Sequence, residues 1–240
     1  MTLPPHEPVA ALAAVGVRAF VTTREAGSYG LPPEGHDAEV EARWVAMQQA
    51  LAAEGVPGLV SARQVHGTRV VTHGDVQTWA GLLRIDGADG HVLTQGGAAA
   101  VTIADCVPVF LASRQPGGPV AIVHAGWRGV ADGILGEAVR AMKRAGAQPS
   151  DLVMHCGPSI CGRCYEVGPD VYEKLTGFTT KRPRQVDLRS LLAEQAKELG
   201  IGQWTATGDC TRCDNDRFFS HRAGDAGRQI AVIVANHAQS

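Results

Sequence analysis

The sequence lacks an excess of charge of either sign. Its 22 Lys and Arg residues nearly balance 24 Asp and Glu residues, so the formal net charge is −2 at pH 7. Proteins that bind nucleic acids usually present a strongly basic surface, and this composition does not supply one. We therefore expect a small-molecule partner and no nucleic acid.

Long uninterrupted hydrophobic runs are also missing. The most apolar stretch, residues 98–112, contains Asp105 and Pro108 and is too short to span a bilayer core of about 30 Å. No Lys or Arg precedes Arg18, so the charged region of a signal peptide is absent. We expect no membrane partner and a cytoplasmic location, where the six cysteines would be reduced thiols, metal ligands or reactive groups.

The sequence contains none of the common local motifs for cofactors or catalysis. GxGxxG, GxxxxGK[ST], HExxH and GxSxG are all absent. The nine histidines never occur as His-x-His or His-Cys-His, whereas a multicopper centre needs many clustered imidazoles. This disfavours a multicopper electron-transfer site.

Apolar patterning predicts an α+β fold with mixed β-sheets and flanking helices. Helical periodicity covers residues 37–54, 130–145 and 187–199, and residues 27–35 form a Gly- and Pro-rich loop. Short apolar runs predict strands at 17–23, repeatedly within 56–123, at 151–157 and at 230–237. Because the strands are grouped, we favour this class over a doubly wound α/β fold. No linker is evident, so we expect a single domain over residues 1–240.

Four segments place a polar or reactive side chain beside glycine or proline at the end of an apolar run: RQVHG (63–67), ADCVP (104–108), HAGWRG (124–129) and FFSHR (218–222). Such strand ends are where sites are usually built. Taken singly, Cys106, His66 and His124 are more often structural residues than ligands. The HAGWRG segment has two interpretations. Either its free amides and Arg128 face an anion, or its glycines form an ordinary turn and Arg128 is solvated.

The remaining cysteines include two CxxC pairs, Cys161 with Cys164 and Cys210 with Cys213. Two such pairs suit a tetrathiolate zinc site. However, 45 residues separate Cys164 from Cys210, which exceeds the roughly 12–20 of compact zinc ribbons. We therefore favour buried or redox-sensitive thiols, with a second metal site and a disulfide as the alternatives.

Taken in order, several motifs resemble the YfiH family, whose members have been labelled laccase-domain or polyphenol oxidase proteins and associated with purine nucleoside phosphorylase activity. The motifs are QVHG (64–67), GADG (87–90), TIADCVPV (102–109), HAGWRG, GPSIC with CYEVG (157–161 and 164–168), and FFSHR with GR (227–228). The resemblance runs from Thr22 to Arg228. It implies mixed sheets layered between helices, a CNF-toxin/YfiH-like fold related to cysteine hydrolases.

The resemblance also implies one zinc ion per chain, held by His66, Cys106 and His124. Three protein ligands leave the fourth tetrahedral position open, as catalytic zinc sites require. Copper binds such ligands tightly under open competition and is expected as an adventitious or alternative metal.

The activities implied by the family are phosphorolysis of adenosine, inosine and methylthioadenosine, and hydrolytic deamination of adenosine. The partners are then a purine nucleoside and phosphate, and the chain is a monomer or a small homo-oligomer. We expect Arg128 and Arg222 to hold phosphate, with Arg63 third, because an anion needs cationic donors. Asp105 is expected to move the proton in deamination.

Two other functions remain open. In a metal-free cysteine hydrolase acting on an amide or ester, Cys106 would be the nucleophile, His124 or His66 the base, and Asp105 the group that orients it. The family's link to peptidoglycan precursor editing would suit that chemistry. The other alternative is a nucleoside-binding protein without turnover.

Overall fold

Fourteen strands and six α-helices are formed by residues 2–32, 36–76 and 83–235, which are the residues described by the computed structural model. The strands are β1 (His6–Pro8), β2 (Arg18–Thr22), β3 (Leu59–Arg63), β4 (Val70–His73), β5 (Leu83–Asp86), β6 (Gly90–Leu93), β7 (Gly97–Ile103), β8 (Val107–Ser113), β9 (Val120–Ala125), β10 (Leu152–Cys156), β11 (Glu166–Val167), β12 (Arg184–Gln185), β13 (Gln203–Ala206) and β14 (Gln229–Ala235). The helices are α1 (Ala10–Ala13), α2 (Ala38–Ala53), α3 (Trp127–Ala131), α4 (Ile134–Arg144), α5 (Pro169–Thr176) and α6 (Leu188–Glu198).

Two mixed six-stranded sheets form the centre of the fold. The first has the order β1-β2-β14-β7-β3-β5 and the second β13-β10-β8-β9-β6-β4, while β11 and β12 form a separate pair. In the first sheet β3 runs parallel to both β5 and β7, and β14 runs antiparallel to β7 and β2. The mixed α+β architecture with flanking helices is therefore as predicted.

The sheets face each other, and helices cover their outer faces. Alternate residues of both sheets, such as Val101 and Ile233 from the first and Phe110 and Ile122 from the second, form the core between them. Trp44 of α2 belongs to the core on the outer face of the first sheet. Leu135 of α4 and Leu192 of α6 pack on the outer face of the second.

Because both faces of the central strands are buried, the sequence shows continuous apolar runs there instead of alternation. Every residue of β8, β9 and β14 is buried.

Two of the three predicted helices are confirmed, and each begins after an aspartate N-cap. The Asp37 carboxylate accepts hydrogen bonds from the Glu39 and Val40 amides at the start of α2, and Asp187 caps α6 through the Arg189 amide. The prediction of one continuous helix over residues 130–145 was wrong. The segment is two helices, α3 and α4, because Gly133 between them has a φ of 85°, which an α-helix does not accommodate.

Some elements were not predicted from the sequence. Helix α5 buries no residue completely, and β13 is largely exposed, so neither has the apolar pattern of a core element. Asn236 and His237, the end of the predicted C-terminal strand, and residues 33–35 of the predicted loop lie outside the described residues. No helix in the described ranges has the length and hydropathy needed to cross a membrane.

The chain crosses from the first sheet to the second three times at one edge of the fold. Strands β3, β5 and β7 are parallel and end at that edge, and their connections lead into β4, β6 and β8. Strand β9 runs antiparallel to β6 and β8, so its C-terminal end lies at the same place. Residues far apart in sequence therefore meet there.

Candidate functional site

The buried carboxylate of Asp89 organises this edge. Its Oδ1 accepts hydrogen bonds from the His66 amide and from His124 Nδ1, both at 2.9 Å. Its Oδ2 accepts from the amides of Val65, at 3.1 Å, and Gly67, at 2.8 Å. One side chain in the β5–β6 connection thus fixes the β3–β4 connection and the ring at the end of β9.

Three metal-ligating side chains converge beside Asp89. The ligand atoms of His66, Cys106 and His124 lie within 4.8 Å of one another, and the two imidazole rings are nearly perpendicular, at 77°. Because Asp89 accepts from Nδ1 of His124, Nε2 is the nitrogen left to bind a metal. The structure therefore brings together the three residues that the family resemblance predicted.

Gly126 leaves the room that the three side chains occupy. A Cβ atom at this position would lie 3.1 Å from Cys106 Sγ and 3.1 Å from His66 Cδ2, closer than ordinary van der Waals contact. Gly126 precedes α3, and its φ of −74° is accessible to any residue. The requirement for glycine here is therefore steric and not conformational.

The electrostatics of the cluster favour a thiolate beside a protonated imidazole when no metal is bound. Burial would raise the pKa of Cys106, but the charge of His124 and hydrogen bonds from both histidines outweigh it and lower this pKa. Burial would lower the pKa of His124, yet the Cys106 thiolate and Asp89 raise it. Hydrogen bonds from His124 and Gly67 likewise overcome the effect of burial and keep the pKa of Asp89 low.

The donor set fits a zinc ion. One thiolate and two imidazoles are common zinc ligands, and a tetrahedral ion held by these three would keep one position for another ligand. His66 is exposed, whereas His124 is buried and held by a carboxylate, as metal-binding histidines usually are.

Asp105 is held by residues other than the two histidines. It adopts a φ of 83°, a left-handed conformation that Asp tolerates better than most residues. Its Oδ1 accepts from the Thr211 hydroxyl at 2.6 Å, and its Oδ2 from the Arg222 amide at 2.7 Å. Among the described residues neither histidine donates to it, so the carboxylate that orients His124 is Asp89.

The cluster opens into a cavity of about 730 Å³. The three arginines predicted to hold phosphate all line it, together with two that were not predicted, Arg84 and Arg228. The guanidinium of Arg128 lies 4.4 Å from the Trp127 ring centroid. In the described ranges it forms no hydrogen bond or ion pair.

The other two predicted arginines are already engaged. Arg222 stacks 5.1 Å from the ring centroid of Tyr165 and donates to the Glu166 carbonyl at 2.9 Å. Arg63 forms an exposed ion pair with Asp86 at 2.6 Å. Arg128 is therefore the best placed of the three to bind an anion.

Besides Arg84 and Arg228, two more residues of the site were missed in the sequence. Asp89 lies in a glycine-flanked segment, where an aspartate usually indicates a turn. Tyr165 lines the cavity, and burial raises its pKa to about 12, with the charge of Cys106 acting in the same direction. Its hydroxyl is therefore protonated and able to donate at neutral pH.

The two CxxC pairs are also brought together. The ligand atoms of Cys161, Cys164, Cys210 and Cys213 lie within 4.8 Å of one another, so the 45 residues between the pairs do not keep them apart. The parallel bridge between Ser159 and Cys210 aligns the two segments. Distance along the chain did not reflect distance in the fold.

The chain is similar to one described protein family and to several named proteins. The model of the family described as multi-copper polyphenol oxidoreductase laccase matches residues 20–236. A Corynebacterium glutamicum protein named purine nucleoside phosphorylase is 38% identical over 157 residues, which cover 62% of this chain and 63% of that protein. A Mycobacterium bovis protein of the same name is 34% identical over 230 residues, covering 89% of this chain and 90% of its own.

Solved structures agree with the fold over nearly all of the chain. The crystal structure of a Bacillus licheniformis hypothetical protein, YfiH, is 25% identical, with a TM-score of 0.80 and 97% of each chain covered. YlmD from Geobacillus stearothermophilus is 27% identical, with a TM-score of 0.80, covering 92% of this chain and 93% of its own.

Replacing Gly126 by Ala should weaken metal binding at the cluster of His66, Cys106 and His124 without unfolding the protein. The added Cβ would push against the Cys106 and His66 side chains, while the backbone conformation stays allowed. The measurement is alkylation of Cys106, followed by peptide mass, at graded concentrations of free zinc. We expect that protecting half of Cys106 from alkylation needs at least about tenfold more free zinc in this variant than in the wild type.

Gly168→Ala is the matched control. Gly168 also precedes a helix, with a φ of −67°, and a Cβ there meets no atom within 4 Å. This variant should protect Cys106 as the wild type does. Equal zinc protection in Gly126→Ala and Gly168→Ala would show that the contact with Gly126 does not limit the site.

Proposed function

Because the chain belongs to the family described as multi-copper polyphenol oxidoreductase laccase, the YfiH family that its motifs predicted, we propose that it is a zinc-dependent purine nucleoside phosphorylase. One observation carries the proposal. A three-ligand metal cluster lines the same cavity as the Arg128 guanidinium, which forms no hydrogen bond or ion pair with the described residues. The relatives named purine nucleoside phosphorylase support this assignment.

The proposed reaction is a group transfer from the purine to phosphate. An oxygen of hydrogen phosphate forms a bond to C1′ of the ribose as the bond from C1′ to the purine nitrogen breaks, and the proton of hydrogen phosphate ends on the released purine. The substrates are adenosine, inosine and methylthioadenosine. A cavity of about 730 Å³ is within the range of small-molecule sites.

The chain's own residues bind and orient the reactants. Arg128 supplies the cation that holds phosphate, and Arg222, which also lines the cavity, assists it. The protonated Tyr165 hydroxyl donates a hydrogen bond to an oxygen or nitrogen acceptor of the substrate. Arg63, being paired with Asp86, contributes less.

Zinc held by His66, Cys106 and His124 would act as a Lewis acid that polarises a substrate atom. Asp89 keeps His124 in the tautomer that leaves Nε2 free for the metal. Adenosine deamination on the same site remains part of the proposal, but Asp105 is committed to Thr211 and Arg222 and is poorly placed to carry its proton.

A metal-free cysteine hydrolase is the second candidate, and one observation favours it. Cys106, His124 and Asp89 form a series of thiol, imidazole and carboxylate, in which the carboxylate orients the base. In this function Cys106 would attack an amide or ester carbon, as in peptidoglycan precursor editing. It differs from the first candidate in needing neither zinc nor phosphate.

Metal content and turnover on the same samples separate these functions. Untagged wild-type protein should release purine base from adenosine only when phosphate is present. Cys106→Ala should lose one zinc per chain together with that activity. A wild-type enzyme that stays active after complete chelation but is inactivated by one alkylated Cys106 would instead establish the hydrolase. Nucleoside binding without any turnover would indicate a binding protein.

Arg128→Ala should raise the KM for phosphate and leave zinc content unchanged. Loss of a charge-assisted hydrogen bond costs about 1.5–3 kcal/mol, which corresponds to roughly a tenfold to hundredfold increase. The measurement is the phosphate dependence of base release at saturating nucleoside. The control is Arg144→Ala, which removes an exposed arginine at the end of α4, away from the cavity. If both variants keep the wild-type KM, Arg128 does not hold phosphate.

A further inference from the structure

A second group of metal ligands lies outside the site described above. We call Cys161, Cys164, Cys210 and Cys213 the four-cysteine cluster. Their sulfur atoms all lie within 4.8 Å of one another, and none of the four forms a disulfide. The proposed phosphorylase reaction uses none of them.

The backbone around the cluster is shaped to surround a thiolate centre. The Cys164 amide donates to the Cys161 carbonyl at 2.9 Å, and the Asp214 amide to the Cys210 carbonyl at 2.8 Å, so each CxxC pair is a tight turn. The amides of Cys161 and Cys213 also point at Cys210 Sγ, at 3.2 and 3.5 Å. N–H groups directed at sulfur stabilise the charge of a thiolate.

The four sulfurs are close enough to one another to share a single ion. With metal–sulfur bonds of about 2.3 Å, the edges of a zinc tetrathiolate tetrahedron are about 3.8 Å long. Cys164 Sγ and Cys213 Sγ are 3.5 Å apart, which is close to that edge and well beyond the roughly 2.05 Å of a disulfide.

We propose that the four-cysteine cluster binds one structural Zn²⁺ ion. A closed set of four thiolates is the usual ligand set of structural zinc, and zinc binds such ligands more tightly than ferrous iron does. The assignment does not depend on the proposed phosphorylase activity.

Two arginines offset the charge of the filled site. Four thiolates and Zn²⁺ carry a net charge of −2, and each CxxC pair holds an arginine at its third position, Arg163 and Arg212. Arg212 also reaches across to the other pair, where it donates to the Cys164 carbonyl at 3.4 Å.

The zinc would hold together two segments that support the catalytic edge. Thr211, inside the second CxxC pair, donates to the Asp105 carboxylate. Ile160, next to the first pair, donates its amide to the Asp105 carbonyl at 3.0 Å. Tyr165 follows Cys164 and lines the cavity. By holding these segments, the ion would fix Asp105 and the turn that carries Cys106. It would do so without touching the reactants.

Zinc content per chain tests the assignment directly. Wild-type protein, purified without tag under reducing conditions, should hold two zinc ions. The double variant Cys164→Ser/Cys213→Ser should hold one, and so should Cys106→Ala. Cys156→Ala is the matched control, because Cys156 is buried in β10 outside both groups, and it should keep two. The assignment is overturned if the double variant retains the wild-type zinc content or if the wild type holds iron in the cluster.

A measurement on chains with an intact cluster covers the case in which the double variant does not fold. In zinc-loaded Cys106→Ala, all four cluster cysteines should resist alkylation until a strong chelator is added, and then react together. Cobalt in the same protein should give the intense sulfur-to-metal absorption of four thiolates. Alkylation at the same rate with and without zinc, or a disulfide between the pairs in the freshly purified protein, would contradict the proposal.

Discussion

The candidate site depends on a carboxylate that the fold has removed from water. Asp89 is fully buried, and an ionised carboxylate in such a place is strongly unfavourable unless every oxygen is paired. Here four donors supply that pairing, three of them backbone amides of residues 65–67 and the fourth the His124 ring. The Asp89 carbonyl also accepts from the His124 amide at 2.7 Å. The loop of His66 and the ring of His124 are therefore positioned by the same group.

The third ligand is held in a different way. Cys106 follows Asp105, whose backbone and carboxylate are bound by residues 160, 211 and 222. These partners come from segments distant in sequence, and residues 160 and 211 lie in the two segments that the four-cysteine cluster brings together. Two anchors thus converge on one cavity wall: a buried carboxylate behind the histidines and a pair of cysteine turns behind the thiol. The two anchors explain how irregular connections between the sheets present the three ligands close together.

Much of the fold follows from local sequence signals, while the site depends on topology. Helices α2 and α6 could be predicted because an aspartate cap precedes a regular apolar face. The break at Gly133 could not, since apolar spacing continues on both sides of it. The set of His66, Cys106 and His124 came from family resemblance, because intervals of this length form no local pattern.

Asp89 was missed for the same reason, as its partners lie in the β3–β4 connection and in β9. The claim most open to test is that this carboxylate sets the geometry of the metal ligands. The decisive measurement compares zinc protection of Cys106 in Asp89→Asn and in Asp86→Asn, whose carboxyl is exposed nearby. Protecting half of Cys106 should need about 10–100-fold more free zinc in folded Asp89→Asn than in the wild type, and the same amount in Asp86→Asn. Wild-type protection in a folded Asp89→Asn protein would contradict it.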